Sequence, residues 1–231
     1  ILARKLIDTG KSHAAAKLGV AQSEIRYGEG RFHAGDRSLG FIELVQALAG
    51  PQPHPLNTTA EGVFGTTYPN GCHIAEVEID PETGTSTIER YTAVDDLGTV
   101  INPTLVAGQV HGGVMQGAGQ VFGEQAVYDR ETGQLLTASF ADYYMPHAGL
   151  LKHIDVHEHP VPTPTNALGA KGVGEAGCSG SLPALVNATV DALRPLGITH
   201  LDMPFTPARV WMAIQAAQQS QLSPPPPYPS P

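Results

Sequence analysis

The sequence has few cysteines, and this scarcity limits its possible chemistry. Only Cys72 and Cys178 occur among its 231 residues. Two thiols cannot build a disulfide framework, and they cannot hold an iron–sulfur cluster without ligands from another chain. The expected location is therefore the reducing cytoplasm.

Long apolar runs and positive charge are also lacking. No stretch approaches the ~18 residues that a membrane-spanning helix requires, and the first residues lack the apolar core of a signal peptide. Thirteen Lys and Arg stand against 22 Asp and Glu, which gives a net charge of −9. The basic residues are not clustered, so the chain would repel a polyanion. We expect no membrane insertion and no nucleic-acid partner.

Glycine and proline, in contrast, are abundant, with 26 Gly and 20 Pro. Both residues are costly inside helices, which excludes a helical bundle or a coiled coil. A hydrophobic content of 41% is still enough to form a core. The composition therefore predicts a turn-rich α+β fold of β-hairpins and helices.

Local patterns predict where these elements lie. Helices are predicted at residues 1–19 with an interruption at Gly10, at 39–48 with Ser38 as N-cap, and at 103–122, 181–193 and 207–217. Hairpins are predicted at 25–32, at 72–80 with 85–94 and at 125–129 with 134–140, and a single strand at 153–159. Residues 1–55 form a predicted N-terminal segment of helix and hairpin, 56–218 the main domain and 219–231 a disordered proline-rich tail.

One glycine-dense segment carries a single carboxylate. Gly172–Gly177 matches G-x-G-x-x-G, but Pro162 and Pro164 precede it where a dinucleotide-binding fold needs a buried strand. Its glycines would let backbone amides approach an anionic ligand. Glu175, held among them, is a candidate general base, and the alternative is a solvated or helix-capping glutamate.

A second glycine-dense segment covers residues 108–117. Gln109 and Gln116 offer amide groups, and the neighbouring glycines either expose backbone donors to a ligand or permit close packing of a helix. The two segments are distant in sequence but could converge on one extended ligand.

Three other groups of residues have simpler interpretations. Asp95 and Asp96 are adjacent and would point to opposite faces of a strand, which favours a turn or capping role over an acid–base pair. His153, Asp155, His157 and His159 would share one face of a strand, which indicates either a metal site or a solvated strand edge. A helix N-terminus could lower the pKa of the Cys178 thiol, but no base partner is evident, and a small packed thiol is favoured.

The glycine-dense segments and the motifs around them resemble the molybdenum hydroxylase family, which includes xanthine dehydrogenase, aldehyde oxidase and carbon monoxide dehydrogenase. The similarity is to the molybdopterin-binding large subunit. Order and spacing agree from about residue 1 to 217, and the matching motifs are AVDDLG at 93–98, INP at 101–103, GQVHGG at 108–113, QG at 116–117, PTPTN at 162–166 and KGVGE at 171–175.

The resemblance implies roles for both segments. Glu175, which ends the Gly-Val-Gly-Glu motif, would be the active-site base. Gln116 would hydrogen-bond the pyranopterin cofactor near the metal. The remaining residues that would hold the cofactor are Gly113, Gly117, Lys171, Gly172, Val173 and Gly174. Molybdenum would be bound by the dithiolene of the cofactor, so no protein metal ligand is expected.

The resemblance also implies an activity and partners. The fold would be the C-terminal part of the molybdopterin-binding domain of this family. The reaction would be molybdenum-dependent hydroxylation of an aldehyde or N-heterocycle, with oxygen from water inserted at an electrophilic carbon. Small residues at 176 and 177 resemble the bacterial branch, which implies molybdopterin cytosine dinucleotide. Electrons would leave through 2Fe-2S clusters and FAD on an iron–sulfur subunit and an FAD subunit.

Three alternatives stay open. The chain would be either a fragment or one half of a naturally split large subunit, completed by the remaining large-subunit portion. A truncated, cofactor-free chain that only binds partner subunits is the main competing function. A nucleotide-binding oxidoreductase that uses residues 172–177 is the third. The substrate would be selected largely by large-subunit residues outside this chain.

Overall fold

The computed structural model describes residues 1–50, 52–63 and 65–222. The chain divides into two units, Ile1–Phe64 and Gly65–Pro231. The predicted boundary after residue 55 precedes this division. The predicted disordered tail lies outside the described residues from 223 onward.

The first unit combines two helices with a three-stranded antiparallel sheet. Its elements are α1 (Leu2–Leu18), β1 (Arg26–Gly28), β2 (Arg31–Ala34), β3 (Arg37–Gly40) and α2 (Phe41–Ala47), with the strands in the order β1-β2-β3. The core centres on Ala14, Phe32 and Leu44, which are fully buried. The predicted hairpin between β1 and β2 is present, and β3 is an additional strand that no sequence pattern indicated.

Two local predictions in this unit are wrong. Helix α1 is not interrupted at Gly10, because the Phe32 ring packs there and a Cβ on Gly10 would lie 2.5 Å from the ring. Ser38 does not cap α2, since it pairs in β3 with His33. The helix begins after Gly40, whose N–H donates to Glu43 Oε2 at 2.7 Å.

The second unit is built on a three-stranded sheet packed against helices. Its elements are β4 (Asn70–Ile79), β5 (Ser86–Asp96), α3 (Pro103–Phe122), β6 (Ile154–Glu158), α4 (Ala176–Leu193) and α5 (Pro207–Leu222). The strand order is β4-β5-β6, with β4 and β5 antiparallel and β6 parallel to β5. In the described part of the chain, no helix is long and apolar enough to cross a membrane.

The core of this unit follows the alternation of β5. Ile88, Tyr91 and Ala93 are fully buried and pack with apolar residues of α3, α4 and α5. The alternation shifts by one residue after Ile88, because the β4–β5 register is irregular between Glu76 and Val77, as in a β-bulge. The same face continues to Asp95, which is also buried.

One predicted hairpin and two predicted helix boundaries in this unit differ from the structure. The predicted hairpin at 125–140 is present only in short form: its turn closes with the Asp129 N–H donating to the Gln134 carbonyl at 2.8 Å, but the pairing is a single bridge between Tyr128 and Leu135, because the apolar side chains there have no buried face to pack against. Helix α4 starts at Ala176 rather than 181, since Gly177 serves close helix contact and not a loop. Helix α5 reaches Leu222, so the first residues of the predicted tail are helical.

Candidate active site

Helices α3 and α4 are held together by glycines. A Cβ on Gly113 would lie 2.8 Å from the backbone nitrogen of Cys178, and one on Gly117 would overlap the hydroxyl of Ser181. On the other helix, a Cβ on Gly177 would lie 2.5 Å from the carbonyl oxygen of Val110. The two backbones therefore meet directly. This packing brings the start of α4, and Glu175 with it, beside α3.

Glu175 is the N-cap residue of α4, but its side chain makes no capping hydrogen bond. Its backbone carbonyl accepts a bond from the N–H of Ser179 at 2.9 Å. The side chain is exposed, and no hydrogen bond or ion pair is recorded for its carboxylate among the described residues. The sequence left open a general base, a solvated glutamate and a helix cap; a helix cap does not fit this geometry, whereas an exposed carboxylate fits both a solvated glutamate and a base that meets its substrate from the cleft.

The loop before Glu175 is fixed by an ion pair. Lys171 Nζ donates to Asp96 Oδ2 at 2.5 Å, and both side chains are largely buried. The hydrogen bond from Lys171, followed by those from the N–H groups of Val161 and Gly98, holds the pKa of Asp96 well below its usual range. Asp96 therefore has the structural turn role that the sequence favoured for the Asp95–Asp96 pair.

A second contact connects the loop to α3. Gln109 Nε2 donates to the carbonyl oxygen of Gly174 at 2.8 Å. Gln116 lies two turns further along α3 and is exposed. Between these amides, Gly112 has open space where a side chain would project. The structure thus brings both glycine-dense segments onto one surface.

A cleft of about 580 Å³, the Glu175 cleft, lies between the start of β4 and α4. Its walls include Tyr68 and Asn70 on one side and Pro183 on the other. Pro183 lies inside α4 and has no N–H, so the carbonyl of Ser179 receives no helical hydrogen bond from that position. The cleft therefore combines a free carboxylate with polar groups and apolar wall residues.

A buried polar network forms the floor of this cleft. His73 Nε2 lies 3.2 Å from Asp95 Oδ1, and His73 Nδ1 lies 2.7 Å from Tyr91 Oη. The His73 and Asp95 side chains are each 4% exposed, and Tyr91 is fully buried. Burial and the charge of Asp95 raise the pKa of Tyr91 strongly, so it remains a neutral phenol.

The sequence did not single out His73, and it assigned Asp95 only a turn or capping role. A signal was present, because Asp95 extends the alternating buried face of Tyr91 and Ala93. The partner of Asp95 lies on another strand, opposite Ala93. Only the pairing register shows that these side chains meet.

A second cleft, of about 500 Å³, lies between the start of α3 and the loop that precedes Glu175. Lys171, Val173 and Gly174 line it from the loop, and Gln109 lines it from α3. Three residues that the resemblance assigned to the cofactor thus face this cleft, while Glu175 lines the other. The segment that ends at Glu175 separates the two clefts.

The remaining candidates do not join this site. Cys178 is half-buried in the first turn of α4, and burial, followed by the charge of Glu175, raises the pKa of its thiol, which fits the packed thiol. His153 contacts Asp155 at 3.0 Å, but within the described ranges no group of three or more His, Cys, Asp or Glu could hold a metal. No strand directly precedes residues 172–177, because β6 ends at Glu158, whereas a dinucleotide-binding fold requires a buried strand at that point.

Comparisons with known proteins agree with this architecture. The model of the molybdopterin cofactor-binding domain matches residues 1–151. The carbon monoxide dehydrogenase large chain of Hydrogenophaga pseudoflava is 35% identical over 224 residues, covering 93% of this chain and 28% of that protein. The nicotine 6-hydroxylase large subunit of Paenarthrobacter nicotinovorans is 39% identical over 167 residues, covering 72% of this chain and 20% of that protein.

A solved structure shows the same fold. Quinoline 2-oxidoreductase from Pseudomonas putida 86 superposes with a TM-score of 0.75 and 31% identity, covering 92% of this chain and 28% of that one. The chain therefore spans between 20% and 28% of the length of these relatives.

Proposed function

The chain belongs to the molybdopterin cofactor-binding domain family of molybdenum hydroxylase large subunits, and from this premise we propose that it carries the catalytic base and part of the cofactor site of such an enzyme. The family resemblance and the α+β fold predicted from the sequence are confirmed. The rest of the site would come from large-subunit sequence that this chain does not include.

One observation carries the proposal. At Gly108, Gly112, Gly172 and Gly174 a side chain would meet nothing within 4 Å, and none of the four has a positive φ. Neither packing nor a positive φ accounts for these four glycines; the same holds for Gly28 in the first unit, so it is the clustering of the four on two adjoining segments that favours a ligand. They lie on the two segments that Gln109 connects through its bond to Gly174. An extended ligand could lie against this surface, because no side chain at these positions would block its approach to the backbone.

These residues fit the cofactor. Gly172, Val173 and Gly174, with the exposed amide of Gln116, would hold it against the open face of α3. Gly113 and Gly117 are covered by α4, so we propose that they act by bringing α4 close to α3. Lys171 would keep the loop in place through Asp96.

Glu175 would act as the general base. A base must be within reach of the proton that it removes, and Glu175 presents a carboxylate with no recorded internal partner into a cleft large enough for a small substrate. The cofactor, when bound, supplies the two-electron redox chemistry at molybdenum. Glu175 would take the proton from the water-derived oxygen that attacks the substrate carbon.

The finer assignments extend this proposal. The cofactor would be the cytosine dinucleotide form, and 2Fe-2S clusters and FAD on partner subunits would carry the electrons away. The related proteins are named for carbon monoxide, nicotine and quinoline. We propose an aldehyde or an N-heterocycle as the substrate, and the cytoplasm as the location of the enzyme.

The test is Glu175→Gln in the complete, assembled enzyme. Turnover should fall by ~10²–10⁴-fold, the usual effect of losing a general base, while molybdenum content stays normal. Glu131→Gln, in an exposed turn, is the control and should leave both unchanged. Retained turnover in Glu175→Gln refutes the base assignment. Absence of molybdenum from the wild-type assembly would instead favour the cofactor-free alternative.

A further inference from the structure

Three exposed glutamines lie along α3, at positions 109, 116 and 120. Within the described ranges, no side-chain hydrogen bond is recorded for Gln116 or Gln120. Gln109 differs, because its Nε2 atom donates to the carbonyl oxygen of Gly174 at 2.8 Å. An exposed glutamine gains little net stability from such a bond, since water offers similar partners. Its importance therefore depends on the partner, and the Gly174 carbonyl belongs to the peptide group that precedes Glu175.

Glu175 is the second central residue of a tight turn. The Ala176 N–H donates to the Val173 carbonyl at 3.2 Å, which places Gly174 and Glu175 between the two bonded residues. Glu175 has φ −104° and ψ −1°, as the third residue of a type I turn does. Its carboxylate has no recorded partner in the described part of the chain. The direction in which the side chain leaves the backbone is therefore set by the turn.

The backbone that leads into this turn has few restraints of its own. Gly172 and Gly174 have no side chains to pack, and a Cβ on either would meet nothing within 4 Å. Glycine has more conformational freedom than other residues, so such a segment needs bonds to neighbouring elements to keep one conformation. The Gly172 N–H donates to Thr67 Oγ1 at 3.3 Å. For Gly174, the bond recorded among the described residues is the one from Gln109.

The turn is held from both sides by helices. On the following side, the Ser179 N–H of α4 donates to the Glu175 carbonyl at 2.9 Å. On the preceding side, the contact comes from α3 through the single side chain of Gln109. Gln109 and Gly174 line the second cleft, whereas Glu175 lines the Glu175 cleft. The bond from Gln109 therefore acts from the opposite side of the segment that separates the two clefts.

We propose that Gln109 is a positioning residue for Glu175, and that it holds, through the Gly174 carbonyl, the turn that directs the Glu175 carboxylate into its cleft. The role of Glu175 as a base rests on the proposed function, whereas the restraint on the turn does not. Loss of the bond should leave the chain folded, since Gln109 is exposed and belongs to neither hydrophobic core. A displacement of about 1 Å in a catalytic group can cost up to ~10²-fold in rate, so a weak bond is enough to matter.

The test uses Gln109→Met in the complete, assembled enzyme. Methionine has nearly the length and the helix propensity of glutamine but no N–H donor, so the substitution removes the bond and changes little else. Gln120→Met is the matched control. It makes the same substitution at an exposed glutamine of the same helix, one for which no side-chain hydrogen bond is recorded in the described chain.

The restraint on the turn is tested by hydrogen–deuterium exchange of the Ala176 N–H, whose bond to Val173 closes the turn. In Gln109→Met this N–H should exchange ~3–10-fold faster than in the wild type, which corresponds to about 0.7–1.4 kcal/mol, the usual net contribution of one hydrogen bond. Gln120→Met should leave the exchange unchanged. Unchanged exchange in Gln109→Met overturns the proposal, whether or not Glu175 is the base.

The effect on Glu175 is tested by a double-mutant cycle. Gln109→Met should lower kcat ~3–10-fold, with KM and molybdenum content as in the wild type. Because Gln109 acts through Glu175, adding Gln109→Met to Glu175→Gln should lower kcat no further, whereas a general structural role would lower it equally in both backgrounds. Equal factors in both backgrounds overturn the positioning role, and a loss of molybdenum in Gln109→Met overturns it in favour of a cofactor contact. Retained turnover in Glu175→Gln would instead refute the base assignment and leave the exchange result in force.

Discussion

Two adjacent glycines of α3 should respond differently to the same substitution. Gly112 is exposed, and an added Cβ would meet nothing within 4 Å. Gly113 is buried, and an added Cβ would lie 2.8 Å from the nitrogen of Cys178 and 2.9 Å from the Cα of Gly177. We therefore compare Gly112→Ala with Gly113→Ala.

The magnitudes follow from two effects. Replacing Gly by Ala inside a helix is favourable by ~1 kcal/mol at either position. At Gly113 the obstructing atoms are backbone, so α4 must move, and such overpacking costs about 1–3 kcal/mol. The helix-propensity gain is common to both variants. The difference between their free energies of unfolding, about 1–3 kcal/mol, therefore measures the packing of α3 on α4 alone.

The assay is urea unfolding of the cofactor-free chain, followed by far-ultraviolet circular dichroism. Gly112→Ala should be more stable than the wild type, and Gly113→Ala should be less stable than Gly112→Ala. Equal stabilities of the two variants would refute the α3–α4 contact. In the assembled enzyme, Gly112→Ala should lower the cofactor content despite its higher stability, because its methyl group would project from the face proposed to hold the cofactor.

Three further predictions concern stability. The pKa of Asp96 is depressed in the folded chain, so its contribution to the free energy of unfolding is present above about pH 4 and is lost as pH falls toward the depressed value. Asp96→Asn should therefore lower stability at neutral pH and make the loss of stability in acid shallower. Urea unfolding at several pH values would show both effects. Asn102 Oδ1 accepts the Leu105 N–H at 3.2 Å, so Asn102→Ala should cost about 1 kcal/mol in the same assay, and an unchanged midpoint would contradict the N-cap. Phe32→Ala should destabilise the first unit by about 3–5 kcal/mol, and a loss below 1 kcal/mol in calorimetry would show that Phe32 is not central to that core.

The sequence predicted best those elements whose ends are signalled locally. Helix α3 runs from Pro103 to Phe122 as expected, because Asn102 supplies a cap and proline is tolerated in the first turn. The β4–β5 hairpin is also confirmed, since Gly84 has a φ of 74° in the predicted turn. Such signals act within a few residues and need no knowledge of the fold.

Prediction failed where distant contacts give a residue its role. The local pattern predicts a break at Gly10 and no helix before residue 181, yet Gly10 and Gly177 both lie in helices that approach another element closely. The sequence shows only that a glycine is present, and a glycine can have two opposite structural roles. It can let a neighbouring backbone approach closely, or it can leave open space for a ligand.

The residues of the candidate site show the same difference between local and distant signals. Sequence motifs alone were enough to identify Glu175 and the glycines around it, because a family motif is a local order of residue types. The pairing of His73 with Asp95 became visible only with the β4–β5 register and the packing of α4, since burial and charge compensation depend on what surrounds a side chain. The chemical groups that are present can therefore be identified from the order of residues, whereas the packing of distant segments sets which of them are free, which are paired and which are shielded from water.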